Sequence, residues 1–364
     1  MNLERKLKVG IIGATGMVGQ RFVTLLADHP WFEIKALAAS ARSAGKTYAQ
    51  ACENRWKMDV DIPADVAKME VMDIHQIEDV TSKVDMVFSA VDMTKEEIRE
   101  IEDSYAKAET PVVSNNSAHR WTEDVPMLIP EINDDHCIVI EAQKKRLGTD
   151  RGFVAVKPNC SIQAYVPLLA AWEEFKPTEL AISTYQAISG AGKTFREWPE
   201  MVENIIPYIG GEEEKSEKEP LKVLGKVKEG KIVNKDGLRI TCQCLRVPVL
   251  NGHTASVFIK FAENPTKEEL IDRISKFKGY PQEEDLPSAP KQFIHYFTQD
   301  DRPQVKLDVD LENGMAVSVG RLREDSVYDF KFIGLAHNTL RGAAGGAVLC
   351  AETLVAKGYI NHKE

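Results

Sequence analysis

The chain has 364 residues, 43% hydrophobic and 28% charged, with a formal net charge of −10. That length suits two domains of ordinary size, and the balance is that of a soluble globular protein. The acidic surplus excludes a nucleic-acid-binding face, while a few local arginines could still hold a small anionic substrate. Met1 to Lys8 carry charge and run straight into a strand, so no secretory signal is expected. No apolar run approaches the roughly 20 residues of a membrane span. The six cysteines, at positions 52, 137, 160, 242, 244 and 350, form no CxxC pair and show no zinc-like histidine spacing. Free thiols, no metal and a reducing cytoplasm are the expectation.

Residues 7–12 predict a short apolar strand, followed by Gly13-Ala-Thr-Gly16-Met-Val-Gly19 and a helix over 20–28. Strands are expected at 32–39, 84–90 and 111–114, with an amphipathic helix at 95–108. Strand 152–156 then leads into a helix over 161–175, where Ile162, Tyr165, Val166, Leu168, Leu169 and Trp172 recur at helical spacing. This alternation predicts a parallel, doubly wound sheet. Strands at 180–187, 239–249, 256–262, 305–311 and 316–323 have few helices between them and predict a mixed sheet with helices on one side. Cys242 and Cys244 share one face of such a strand, where packing is the simplest role. Glu212 to Glu219 reads as the start of a polar connection, 281–290 as a proline-rich surface loop and 339–357 as a C-terminal helix. The fold class is therefore α/β. A Rossmann-type dinucleotide-binding domain is expected at 1–156, completed by 339–364, with an α+β catalytic domain built on a mixed sheet at 157–338.

Gly13, Gly16 and Gly19 follow a strand and open a helix. In that context glycines permit a tight turn and let backbone amides approach a pyrophosphate at the helix N-terminus. An NAD site usually places a carboxylate about 20 residues further on to hold the ribose hydroxyls. Here Ser40, Arg42, Ser43 and Lys46 occupy that region without a carboxylate, which favours the 2′-phosphate of NADP(H) over an ordinary polar turn.

Cys160 lies in Lys157-Pro158-Asn159-Cys160-Ser161, where the strand ends and the expected helix begins. A helix N-terminus favours negative charge and lowers a thiol pKa, whereas a buried core cysteine would be inert. Gln186 ends a strand and precedes the glycine-rich turn Ser189-Gly190-Ala-Gly192, a place for backbone contact with a ligand. Arg246 and His253 flank the tight turn at Asn251-Gly252, so both could converge on one pocket. A thiol, a histidine and a dinucleotide loop in one chain point to thiol-based redox catalysis, since histidine is the usual acid/base near neutral pH.

These segments, with Ser114-Asn-Asn-Ser-Ala-His-Arg120, Gly211-Glu-Glu-Glu-Lys215 and Asn338-Thr-Leu-Arg-Gly-Ala-Ala344, resemble aspartate-β-semialdehyde dehydrogenases nearly end to end. The likeness is strongest to the archaeal and fungal type. The resemblance implies Cys160 as nucleophile, His253 as acid/base and Gln186 as the residue orienting an acyl intermediate. Arg246 and Glu212 match positions that hold the substrate's carboxylate and amino group, and Arg120, Asn159 and Lys215 those around phosphate. Gly13, Thr15, Gly16, Met17 and Val18 would meet the cofactor's pyrophosphate, and Ser40, Arg42 and Ser43 its 2′-phosphate. Ser189 and Gly190 would also contact the cofactor, and Asn338 would lie near its nicotinamide. The implied reaction is reductive dephosphorylation of L-4-aspartyl phosphate by NADPH, giving L-aspartate 4-semialdehyde and phosphate on the route to lysine, threonine and methionine. Homodimers or homotetramers built through the second domain, 157–338, are also implied.

Malonyl-CoA reductase on the same scaffold and a catalytically silent scaffold protein are the alternatives. N-acetyl-γ-glutamyl-phosphate reductase shares the chemistry but matches Tyr185-Gln186-Ala and the Arg246-to-His253 segment less well. Glyceraldehyde-3-phosphate dehydrogenase fits poorly, because its Ser-Cys-Thr-Thr-Asn context is absent.

Overall fold

A computed structural model describes residues 5–363; the outermost residues of the two sequence-based domain ranges, 1–4 and 364, lie outside it, as does the start of the stretch read for a secretory signal. Strands β1 (Leu7–Ile12), β2 (Phe32–Ala39), β3 (Val71–Asp73), β4 (Met86–Ser89), β5 (Val112–Ser114) and β6 (Val154–Val156) form one sheet, ordered β3-β2-β1-β4-β5-β6. Every pairing in it is parallel. Chain order reverses between β1 and β4, so a crevice opens beyond their carboxyl ends, the general ligand position in open α/β sheets.

Local chemistry sets the flanking helices. The Lys95–Lys107 helix starts at a capping box: Thr94 Oγ1 accepts from the Glu97 amide at 3.3 Å, and the Glu97 carboxylate accepts from the Thr94 amide at 2.9 Å. Ile98, Ile101 and Tyr105 then share its buried face. The C-terminal helix, Ala344–Ala356, is apolar nearly all round and buries itself among Val9, Ile11, Phe88 and Val113 of the first sheet. Glu352, fully buried, anchors it through His29 at 2.8 Å and the Ser288 amide at 3.0 Å.

The second domain contains β7 (Pro177–Gln186), a small hairpin of β8 (Lys226–Lys228) and β9 (Lys231–Val233), then β10 (Arg239–Arg246), β11 (His253–Phe261), β12 (Ile294–Phe297), β13 (Val317–Glu324) and β14 (Phe330–Ala336). Six of these form a mixed sheet ordered β10-β7-β11-β14-β13-β12, with parallel pairs at both ends and antiparallel pairs between. Trp172 packs edge-on against Phe261 and Phe332 beneath one face and donates its indole N–H to Leu270 O at 2.9 Å. The opposite face, with Ser183, Tyr185, Ser256 and Phe258, keeps partial exposure. Register positions the site. Arg246 pairs with Gln186 at the ends of two parallel strands, and β11 starts back from the same edge at His253.

Several expected elements differ. Residues 161–175 do not form one helix: a 3-10 turn at Ser161–Ala164 gives way at Tyr165 (φ −141°) to the Val166–Ala171 helix, where Pro167 is tolerated only in the first turn. Val305–Leu311 is not a strand. Asp308 accepts from the Gln304 amide at 2.6 Å and pairs with Arg302, winding Val305–Asp308 into a helical turn, and the edge strand is β12 instead. Glu212–Val223 is a helix rather than a connection. Its inward face is polar (Glu212, Ser216, Glu219), which an apolar periodicity cannot register. The C-terminal helix begins at Ala344, because residues 339–343 turn around His337, whose Nδ1 accepts from the Thr339 and Leu340 amides. The 281–290 segment is packed rather than peripheral, with Pro281 and Leu286 buried.

Candidate active site

The turn from Lys157 to Ser161 is held by side chains rather than by a long helix. Asn159 Oδ1 accepts from the Ser161 amide at 2.8 Å and from its hydroxyl at 2.6 Å, a local turn typical of asparagine. The Asn159 amide donates to Glu219 at 2.6 Å, and its Nδ2 donates to the Glu212 carboxylate at 3.1 Å. Two buried carboxylates, two turns apart on one helical face, therefore pin the backbone that carries Cys160.

Cys160 Sγ lies 3.3 Å from His253 Nε2, although 93 residues separate them. The ring's other nitrogen, Nδ1, accepts from the Ala187 amide at 3.0 Å. A backbone N–H can only donate, so Nδ1 carries a lone pair and the neutral ring holds its proton on Nε2, facing the sulfur. Protonating Nδ1 would set two donors against each other. Burial, with Arg246 nearby, accordingly pushes the imidazole down to about 3.

The expected lowering of the thiol pKa is not what the resting structure shows. Cys160 keeps some solvent access, but protein atoms enclose the sulfur on most sides. That desolvation, together with the Glu212 charge, pushes the thiol up to about 11. Lys157, Arg120 and Arg246 act in the opposite direction. The turn after Cys160 has only four 3-10 residues, so no long aligned helix faces the sulfur to offset burial.

Other expected residues gather around this pair. Gln186 is buried at the end of β7, with Nε2 donating to Thr184 Oγ1 at 3.3 Å. Arg246 Nη1 donates to Ala187 O at 2.6 Å, and no carboxylate among the described residues pairs with it. A Cβ built on Gly190 would lie 2.9 Å from Arg246 Nη1 and 3.2 Å from His253 Cε1, so glycine keeps that approach open. Asn338 accepts from the Gly252 amide at 2.7 Å and donates to Ser189 Oγ at 2.8 Å, joining β14 to the Ser189–Gly190 turn. Lys215 reaches Glu212 at 2.7 Å. Arg120 is occupied: it donates to Glu219 at 2.8 Å and to the carbonyls of Lys157 and Asn115 at 3.0 Å. Its charge is already matched, unlike that of Arg246.

The glycine turn has the shape a dinucleotide requires. Gly13 adopts φ +82°, and a Cβ there would fall 2.3 Å from Ala90 O; one on Gly19 would fall 2.3 Å from Gly13 O. Gly16 caps the Met17–Leu26 helix without a side-chain partner, and Thr15, Met17 and Val18 remain accessible, leaving first-turn amides for phosphate oxygens. Tyr48 Oη and Gln20 Nε2 brace the turn by donating to Ala14 O at 2.8 Å and Thr15 O at 3.0 Å. Ser40 and Arg42 are exposed at the end of β2, whereas Ser43 is buried with its amide on Ser40 O at 2.8 Å. These residues fit an NADP(H)-type ligand.

Comparison with known proteins agrees. Residues 8–139 match the model of a semialdehyde dehydrogenase NAD-binding domain, and residues 167–341 that of a semialdehyde dehydrogenase dimerisation domain. The aspartate-semialdehyde dehydrogenase of Schizosaccharomyces pombe is 44% identical over 97% of this chain and 99% of its own length. That of Archaeoglobus fulgidus is 41% identical over 96% and 98%. The chain belongs to the aspartate-semialdehyde dehydrogenase family. The crystal structure of aspartate-semialdehyde dehydrogenase with NADP from Candida albicans superposes with a TM-score of 0.88 at 39% identity, covering 98% of this chain and all of that one.

Within this family fold, some site residues escape sequence reasoning. Glu219 is fully buried and supports both Arg120 and Asn159, yet in sequence it is one acid in a charged run. Ser161 and Ser216 share a hydrogen bond at 2.9 Å behind the turn. The Ala187 amide fixes the imidazole, and a backbone group leaves no composition signal at all. Lys57 donates to Gly192 O at 2.6 Å and pairs with Glu197 at 2.8 Å, tying the first domain to the Ser189–Trp198 segment.

Proposed function

We propose that this chain catalyses NADPH-dependent reductive dephosphorylation of L-4-aspartyl phosphate to L-aspartate 4-semialdehyde, and the reverse oxidation, through a thioester on Cys160. The observation that carries the reading is the 3.3 Å contact of Cys160 with His253, with Arg246 and Glu212 close by. The sulfur, as thiolate, attacks the acyl-phosphate carbon and phosphate departs. A thioester accepts hydride more readily than a carboxylate, which is the reason for the covalent step. Bound NADPH supplies that hydride. His253 Nε2–H donates a hydrogen bond to the resulting thiohemiacetal oxyanion, and collapse of that species releases the aldehyde and restores the thiolate. Gln186 orients the acyl group. Arg246 offers a planar fork to the substrate's carboxylate, Glu212 accepts its ammonium, and Lys215, Asn159 and Arg120 face the phosphate.

We assign residues 1–156 with 339–364 to cofactor binding and 157–338 to catalysis and dimerisation. The match over 167–341 to a dimerisation domain supports a homo-oligomer, and the partly exposed sheet face around Tyr185 is its docking surface. A role in lysine, threonine and methionine synthesis follows from the activity, and the six free cysteines suit a reducing cytoplasm. An NADP-linked assay with L-aspartate semialdehyde and phosphate tests the proposal. Turnover should depend on both and vanish in Cys160→Ala; a chain active without phosphate, or equally active without the thiol, would overturn it.

A further inference from the structure

Lys157 lies three residues before Cys160, at the end of β6, and is 1% exposed. Its amine has no hydrogen-bond partner among the described residues. Lys222, also buried, shows the usual solution, donating to the carbonyls of Arg120, Thr122 and Val125. An unpartnered buried amine is costly and persists only for a reason.

The turn before the C-terminal helix packs against Cys160, and the first turn of that helix packs against Lys157. A Cβ on Gly342 would fall 2.7 Å from Cys160 Cβ, and one on Gly346 would fall 2.2 Å from Lys157 Cε. Two glycines four residues apart thus make room for the sulfur's stem and the lysine's stem side by side. The titratable and charged groups near enough to act on the amine include Cys350, Arg341, Cys160 and Arg120. Arg341 is paired with Glu131, and Arg120 with Glu219. The Cys350 thiol is held up to about 12 by burial and so stays neutral. Arg246 also lacks a carboxylate partner among the described residues, but the substrate's carboxylate takes it. His253 faces the sulfur as a neutral donor.

Resting on the reading of Cys160 as nucleophile, we propose that Lys157 is a positioning residue whose sealed amine supplies the countercharge for the Cys160 thiolate. When the sulfur releases its proton to solvent and the amine takes one up, the charge of the buried layer is unchanged. Burial lowers the amine to about 7, so it can exchange a proton near neutral pH.

This coupling has a signature that a merely structural lysine would not produce. Once the amine begins to lose its proton, the thiolate–ammonium form stays a constant fraction of the protein. The rate of Cys160 alkylation by iodoacetamide should therefore rise about tenfold per pH unit below about pH 7 and then flatten over at least the next pH unit. Lys157→Met keeps an unbranched stem against Gly346. It should remove the bend, lower the alkylation rate at pH 7 at least roughly tenfold, and reduce kcat with little change in KM or NADPH affinity. A straight wild-type profile would overturn the proposal, with or without a foldable variant. So would a bend that persists in Lys157→Met, because another group would then be responsible. A bend in a chain that does not oxidise L-aspartate semialdehyde would leave the lysine's role standing and retire the functional reading alone.

Discussion

Glu219→Gln probes the support beneath the nucleophile. The Glu219 carboxylate takes Arg120 Nη1 on one oxygen at 2.8 Å and the Asn159 amide on the other at 2.6 Å, with no solvent exposure. Glutamine is nearly isosteric but offers a single acceptor. One donor must then face an NH2 group, and the Arg120 charge loses its partner. Breaking a buried ion pair from one side costs about 3–5 kcal/mol, a large part of ordinary domain stability. At roughly 2–4 °C per kcal/mol for a domain of this size, the melting temperature should fall by about 6–20 °C. Glu214→Gln, on the exposed side of the same helix, should stay within about 0.5 kcal/mol of wild type. Circular dichroism melts and steady-state kinetics on the three proteins decide the matter. A loss of kcat with unchanged NADP affinity should accompany the drop for Glu219→Gln. A melt within 2 °C of wild type, against the roughly 6–20 °C fall, would refute the reasoning.

Gly190→Ala should reduce kcat/KM at least about tenfold with little loss of stability, because the new methyl meets Arg246 and His253 while no packing is removed; unaltered kinetics would remove Gly190 from the substrate path. Arg42→Asp should shift the NADP:NAD preference toward NAD by repelling a 2′-phosphate, and an unchanged ratio would discard that reading of β2. His253 makes stability depend on pH with a definite sign. Its folded pKa of about 3 lies below the unfolded value, so its contribution is present above about pH 6.5 and is lost as pH falls toward 3. Denaturant melts from pH 7 to pH 4 should therefore decline less steeply in His253→Asn than in wild type, and parallel declines would count against the locked ring.

Much of the fold is legible from the chain because its main elements carry strong local signals. β1 and β2 are apolar runs bounded by glycine or proline, and the Lys95–Lys107 helix has a capping box and an apolar stripe. Elements held by polar contacts are not legible in that way. The Glu212–Val223 helix turns acids inward, where they meet Asn159 and Arg120 from distant segments, so its buried face resembles a solvated run. Val305–Asp308 alternates like a strand and becomes helical because Asp308 binds Arg302 and the Gln304 amide. β3 has three residues, too few for a period to show. In the site, charged and sulfur-bearing residues at strand ends can be nominated from sequence, but their states cannot. The thiol pKa follows from enclosure and from Glu212, and the imidazole's proton position follows from a single backbone amide.

The proposed chemistry requires Cys160 to carry the acyl group. Mixing the enzyme with NADP and L-aspartate semialdehyde without phosphate, then quenching with acid, tests this directly. One equivalent of NADPH should form per site in a rapid burst, and mass spectrometry of digested protein should find the aspartyl adduct on the peptide containing Cys160. NADPH formation without that adduct, or an adduct on another residue, would contradict the mechanism.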